Sequence, residues 1–251
     1  MSGERILIVG ESWVSSSTHV KGWDFFSSSV YEEGHEHLST ALTSAGYSVE
    51  HMPAHIASAR FPSTMEELSA YDVVIISDIG ANTLLLHPSV WLKGETAPNR
   101  LALVRDWVLA GGRLVMCGGY LSFSGIYGSA RYAGTPIEAV LPVDIARYDD
   151  RIEAPQGARV MVCDPNHPIV DGLAAEQWPA LLGYNEVTLS SGAHLVASID
   201  GHPFLAVGEY GAGRSLVWTS DIGPHWCPMR FISWAGYQKV WSQAIGWLLS
   251  E

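Results

Sequence analysis

Gly111-Gly112-Arg113-Leu114-Val115-Met116-Cys117-Gly118-Gly119-Tyr120-Leu121-Ser122 reads as the end of a helix, a buried strand and a sharp turn. In an open α/β sheet such a run delivers one side chain to the mouth of a pocket at the strand's carboxyl end. A nucleophile elbow keeps small residues two before and two after the reactive one, because the turn leaves no room for larger side chains. Centred on Tyr120, the frame has Gly118 and Ser122 at those places and fits. Centred on Cys117, it has Val115 and Gly119, and only the later half fits. The stretch predicts elbow geometry with a tyrosine at the nucleophile position and a thiol three residues upstream.

Working outward, Arg5-Ile6-Leu7-Ile8-Val9-Gly10 is a continuous apolar run closed by glycine, the pattern of a parallel strand buried on both faces. Asp72-Val73-Val74-Ile75-Ile76-Ser77-Asp78 and Ser215-Leu216-Val217-Trp218-Thr219-Ser220-Asp221 read the same way, each ending in a polar residue. Helical spacing marks 31–45, 99–110 and 231–249, and Ser63 followed by Glu66 predicts an N-cap for a short helix. Strands alternating with helices predict an α/β fold: a three-layer, doubly wound, mostly parallel, flavodoxin-like sheet. Segments 159–163 and 194–199 predict a small antiparallel extension, with 183–185 in the loop between them. Residues 11–29 are serine-rich but carry Trp13, Trp23, Phe25 and Phe26, which predicts an ordered loop over the sheet's carboxyl edge. With no linker or repeat, 1–251 is expected to be a single domain.

Fourteen Lys and Arg against 26 Asp and Glu leave a formal net charge of −12, which argues against nucleic acid or an anionic membrane as a partner. Three cysteines without a CxxC motif, and an N-terminal apolar run too short for a signal, predict a cytoplasmic protein. Trp218, Trp226, Trp234, Trp241 and Trp247 crowd the last fifth of the chain, as core or as a subunit interface, and a homo-oligomer is expected.

Ligands of doubly wound sheets bind beyond the strands' carboxyl ends, where this chain gathers Glu11, Asp78, Tyr120, Ser122, Asp221 and His225. His225 suits an acid or base, with Asp221 four residues earlier to orient it. Glu11 and Asp78 on adjacent strands suit acid–base work, a divalent metal, or simple capping. Cys117 is either a packed thiol or a nucleophile paired with His225. The loop 18–24 either closes over a small polar ligand or packs on a neighbouring subunit, and Asp149-Asp150-Arg151 reads as a surface ion pair. His35-Glu36-His37 reads as solvated, since residues one or two apart on a helix do not face together. With no HExxH, GxGxxG or P-loop motif, neither a metal nor a cofactor is predicted.

The strings Gly10-Glu11-Ser12-Trp13, Ser77-Asp78-Ile79-Gly80-Ala81-Asn82, Gly118-Gly119-Tyr120-Leu121-Ser122-Phe123 and Ser220-Asp221 through Pro224-His225-Trp226 resemble the class I glutamine amidotransferase fold. They resemble more closely an uncharacterised bacterial family of class I glutamine amidotransferase-like (GATase1-like) cytoplasmic proteins. The resemblance implies a cysteine at the elbow, and a histidine with a glutamate two residues later. By position those slots hold Tyr120, His225 and Cys227, so the standard Cys-His-Glu triad is expected to be missing. Three functions follow. The first is binding or hydrolysis of a small polar metabolite, sugar-derived in one version, with His225 as acid/base and Tyr120 as a hydrogen-bond donor. The second is an active cysteine hydrolase or amidotransferase using Cys117 with His225. The third is a non-catalytic oligomeric or regulatory protein.

Overall fold

The computed structural model describes residues 3–173 and 177–250. Its strands begin with β1 (Arg5–Gly10), β2 (Ser12–Lys21), β3 (Asp24–Glu33), β4 (Ser48–Met52), β5 (Val73–Ser77), β6 (Arg113–Cys117) and β7 (Val143–Ile145). They continue with β8 (Arg151–Ala158), β9 (Val160–Val162), β10 (Leu181–Asn185), β11 (Val187–Leu189), β12 (His194–Ile199), β13 (His202–Tyr210) and β14 (Gly213–Trp218). The helices are α1 (Glu36–Ser44), α2 (Ala54–Arg60), α3 (Met65–Leu68), α4 (Ala81–Leu85), α5 (Pro88–Lys93), α6 (Arg100–Leu109), α7 (Met229–Ile232) and α8 (Ala235–Leu249).

One eight-stranded sheet runs in the order β4-β1-β5-β6-β14-β13-β12-β9. The first five strands are parallel, and β13, β12 and β9 extend them antiparallel. The apolar runs are continuous because both faces are covered, so alternate residues enter different cores. Ile6, Ile8, Ile75 and Val115 pack with α1 and α8 through Leu42, Trp241 and Ile245. Leu7, Val9, Ile76 and Leu114 pack on the other face with Ala57, Leu84, Leu101 and Val104. The sheet order reverses between β4-β1 and β5, where β1 and β5 run side by side in register from Ile6↔Val73 to Gly10↔Ser77. That reversal opens a crevice at the carboxyl ends of β1 and β5.

Several local expectations are corrected. Residues 12–33 are not a loop but a two-stranded antiparallel arm, β2 on β3, paired from Ser12↔Glu33 to Lys21↔Asp24 around Gly22 and Trp23. Every residue from Trp13 to Glu33 is exposed. With no buried face the arm has no period-2 apolar pattern to read, and cross-strand hydroxyl pairs such as Ser16 with Ser29 (2.9 Å) replace one. Helix α1 consequently starts at Glu36. The cap of α3 is Thr64, whose hydroxyl accepts from the Glu67 N–H while Glu67 reaches back to the Thr64 backbone, one residue beyond the predicted Ser63 and Glu66 pair. Residues 183–185 lie in β10, antiparallel to β8. The C-terminal helical segment is two helices, α7 and α8, separated at Ser233 and Trp234. Trp218, Trp226 and Trp241 are fully buried within the chain; the most exposed tryptophans are Trp23 on the arm and Trp91. Among the described residues no helix is long and apolar enough to cross a membrane.

Candidate functional site

Four strands of the parallel sheet end around one cavity of about 440 Å³, lined by Glu11, Trp13, Asp78, Tyr120, Leu121, Ile126, Asp221, Gly223, Pro224 and His225. Glu11 directly follows β1 and Asp78 directly follows β5, and both take left-handed backbone angles, φ 45° and 41°. Non-glycine residues rarely hold that conformation unless their surroundings fix them. Here the Glu11 N–H donates to the Ser77 carbonyl (3.0 Å) and the Asp78 N–H to Ser122 Oγ (3.1 Å). The two strands are thereby turned so that their first polar side chains enter the crevice together.

The Gly-Gly turn after β6 leads into successive turns rather than an α-helix, and the next regular element is a single 3₁₀ turn at Ile126–Gly128. This departs from the strand-to-helix elbow the sequence predicted. The glycines are required for another reason. A Cβ on Gly118 would lie 2.3 Å from the Thr219 carbonyl oxygen, so only glycine lets β6 and the end of β14 meet. A Cβ on Gly119 would lie 2.8 Å from Asp78 Oδ1 and 3.0 Å from Asp221 Oδ1. Two carboxylates thus close on the bare Cα of Gly119. The turn is held from below by Asn185, whose Oδ1 accepts from the Gly119 N–H (2.9 Å) and whose Nδ2 donates to Asp150 (2.9 Å). Asp150 also accepts from the N–H groups of Ser124 and Gly125, both at 2.8 Å. Of the predicted surface ion pair, Arg151 does bind Asp149 at 2.8 Å, but Asp150 is a buried clamp.

Asp221 accepts at Oδ2 from the Trp226 N–H (2.9 Å) and pairs with His225 Nδ1 (2.8 Å). The bond to Asp221 pushes the His225 imidazole above its ordinary pKa. His225 is about half exposed while Asp221 is nearly covered, so the pair presents an imidazole to the cavity and hides its carboxylate. Burial, and then the charge of Asp221, raises the Asp78 pKa to about 6. Burial, and then the charges of Asp78 and Asp221, raises Glu11 well above the carboxylate range. Its side chain accepts a short hydrogen bond from Ser77. The arrangement is three carboxylates that cannot all ionise freely, beside an imidazole that can carry a proton.

Tyr120 reaches the cavity with its ring, set edge-on to His225 at 4.6 Å between centroids. Its hydroxyl donates to Glu153 Oε1 (2.8 Å), and Arg151 lies over the ring at 4.6 Å. Burial and the bond to Glu153 raise the phenol's pKa, which opposes a phenolate nucleophile. Cys117 is not brought to the cavity. It is fully buried at the end of β6, and burial followed by the charge of Glu11 pushes its thiol well up. That burial favours the packed-thiol alternative for Cys117 over a pair with His225, since the nucleophile must be a reachable thiolate. Cys227 is likewise buried. The loop 18–24 forms the arm's tip, with His19 stacked on Phe26, and only Trp13 of the arm lines the cavity. Glu153 and Asn185 were missed in the sequence because they come from the β8–β10 ribbon. The one available signal was an asparagine closing the apolar run of β10, where Asn185 has no exposed surface.

The chain thus combines a mostly parallel α/β sheet with a Gly-Gly turn, an Asp–His pair and strand-end carboxylates around one cavity. The chain belongs to the GATase1-like family described as "putative glutamine amidotransferase", whose sequence model matches residues 5–250. Two cytoplasmic proteins from Salmonella typhimurium have similar structures. One is 40% identical, with a TM-score of 0.93 over 97% of this chain and 98% of its own. The other is 41% identical, also at 0.93, over 97% of this chain and 99% of its own. A "putative ThuA-like protein" from Bacteroides uniformis, 13% identical with a TM-score of 0.61 over 100% of this chain and 92% of its own, shares the fold alone. A search of curated proteins returns no match.

Proposed function

We propose that the cavity binds a small, uncharged, hydroxyl-rich metabolite and transfers protons on it through the Asp221–His225 pair, without glutamine hydrolysis. The observation that carries this reading is the 2.8 Å contact between His225 Nδ1 and Asp221, at a cavity that Cys117 does not line. Asp221 fixes the imidazole's orientation and stabilises its protonated form, leaving the second ring nitrogen for the ligand. Asp78, with a pKa of about 6, is suited to hold or release a second proton near neutral pH.

The ligand class follows from the lining. Carboxylates accept hydrogen bonds from hydroxyl groups and repel anions, which favours neutral sugars or polyols over sugar phosphates. Trp13 and Tyr120 supply aromatic surface for the C–H faces of such a ring. The parallel-strand order, 2-1-3-4-5 in chain order, supports a flavodoxin-like layering and a ligand at its switch point. The cytoplasmic Salmonella relatives support a cytoplasmic setting.

The test is a panel of neutral sugars, polyols, sugar lactones and their phosphorylated counterparts, read by ligand-observed NMR. Binding of neutral members that is lost in His225→Ala and kept in Cys117→Ala is expected. Preference for phosphorylated members, or binding lost in Cys117→Ala alone, overturns the reading. We also propose that copies of the chain associate through the arm, because a two-stranded ribbon is marginal in water alone and its tip exposes Val20, Trp23 and Phe25. Light scattering should give an oligomer that Trp23→Ser with Phe25→Ser dissociates, and a monomeric native protein refutes it.

A further inference from the structure

At the base of the arm, three donors from separate elements, none of them lining the cavity, converge. Glu33 is the last residue of β3, His35 precedes α1, and His51 lies on β4. Glu33 Oε2 is 3.1 Å from His35 Nε2 and 3.7 Å from His51 Nδ1. The three donor atoms all lie within 4.8 Å of one another. The two imidazoles stack with centroids 3.6 Å apart and planes 21° from parallel. His35 is thus not the solvated residue its sequence neighbours suggest.

The outer bonds fix which nitrogens face inward. His51 Nε2 sits 2.8 Å from the Gly10 carbonyl oxygen, which only accepts, so Nε2 carries the hydrogen and a neutral ring presents a bare Nδ1 toward Glu33. His35 Nδ1 meets Ser39 Oγ at 2.9 Å, leaving its Nε2 toward the same carboxylate oxygen. The other oxygen, Glu33 Oε1, accepts from Tyr31 Oη at 2.5 Å. A lone pair facing a carboxylate calls for a cation between them. A metal ion satisfies both rings and the carboxylate at once, and ligand histidines characteristically donate their outer N–H to a backbone carbonyl, as His51 does.

We propose that Glu33, His35 and His51 form a binding site for a divalent first-row transition ion, zinc by its donor set, which clamps the base of the arm to β4 and the start of α1. Two imidazoles and one carboxylate suit zinc and its neighbours and do not suit magnesium or calcium, which take oxygen donors. Three protein ligands leave a further position for water. Gly34, between two of the ligands, packs against the cavity's Glu11: a Cβ there would meet Glu11 Oε2 at 2.7 Å. The clamp therefore also holds one wall of the cavity.

The test uses the full chain without a histidine tag, stripped with a chelator, then titrated with zinc against a chromophoric competitor and with cobalt by visible absorption. One ion per chain is expected, with cobalt d–d bands, and no competition from magnesium or calcium. His51→Gln, His35→Ala and Glu33→Gln should each weaken zinc by about 100-fold or more, with far-UV circular dichroism showing a native fold. His37→Ala and His55→Ala should leave affinity unchanged. Absence of saturable one-to-one binding by the native chain overturns the assignment, whatever the variants do. So does binding that survives His35→Ala and His51→Gln, or that is lost in Asp78→Asn instead, which would place the ion at the cavity carboxylates.

Discussion

Asp78→Asn should stabilise the protein at pH 8 and lose that advantage in acid. The Asp78 carboxyl is partly buried, and its pKa stands at about 6 against an ordinary 3.8, chiefly through desolvation and then the charge of Asp221. Because the folded value lies above the unfolded one, the side chain favours folding most below about pH 3.8. That contribution is lost as pH climbs through about 6. At about 1.4 kcal/mol per pH unit, ionised Asp78 costs on the order of 3 kcal/mol at pH 8. Asparagine avoids this cost, and its Oδ1 can still accept from the Leu121 N–H, a bond of 2.6 Å in the native protein. Urea unfolding of both proteins at pH 4, 5, 6 and 8 measures the difference. The midpoint advantage of the variant should be small at pH 4, grow through pH 6 and level off above it. A variant that is neutral or less stable at pH 8 refutes a desolvated, charge-crowded Asp78.

Three further outcomes are expected. Asp221→Asn should lower the His225 pKa, since the bond to that carboxylate is the largest cause of its elevation; a histidine NMR titration that shows no fall contradicts the pairing. Gly119→Ala should cost about 2 kcal/mol, because its φ of 142° and the two flanking carboxylates leave no space for a Cβ; thermal unfolding within error of native contradicts the crowding. A disulfide reagent such as DTNB should titrate one thiol of three in the native protein, and none in Cys163→Ser, since Cys163 is exposed while Cys117 and Cys227 are buried. Rapid modification of a second thiol would mean that Cys117 or Cys227 is reachable after all.

The parallel sheet was legible because β1, β5, β6 and β14 are short apolar runs, followed by a polar residue in three cases and by Gly118-Gly119 after β6, and burial on both faces leaves little else for such runs to be. The same endings directed attention to Glu11, Asp78, Tyr120, Asp221 and His225, which the structure brings around one cavity. The Gly118-Gly119 pair was legible as a tight turn, but its reason was not. The carboxylates that crowd Gly119 come from positions 78 and 221, and no local pattern reports on them. The arm was hidden by its composition, since serine-rich strands with no buried face carry no alternation. The His35–His51 stack was hidden by sequence distance and by the arm itself, which had to be seen as strand before Glu33 could be placed beside either ring.

Ammonia release from glutamine, measured for the native chain, Cys117→Ala and His225→Ala side by side, tests most directly whether this fold works without a cysteine nucleophile. All three should be indistinguishable from the uncatalysed rate, because the thiol is buried and the hydroxyl of Tyr120, the reactive side chain the Gly-Gly turn brings to the cavity, is engaged with Glu153. Release by the native chain that disappears in Cys117→Ala would contradict the site described here and restore the cysteine hydrolase.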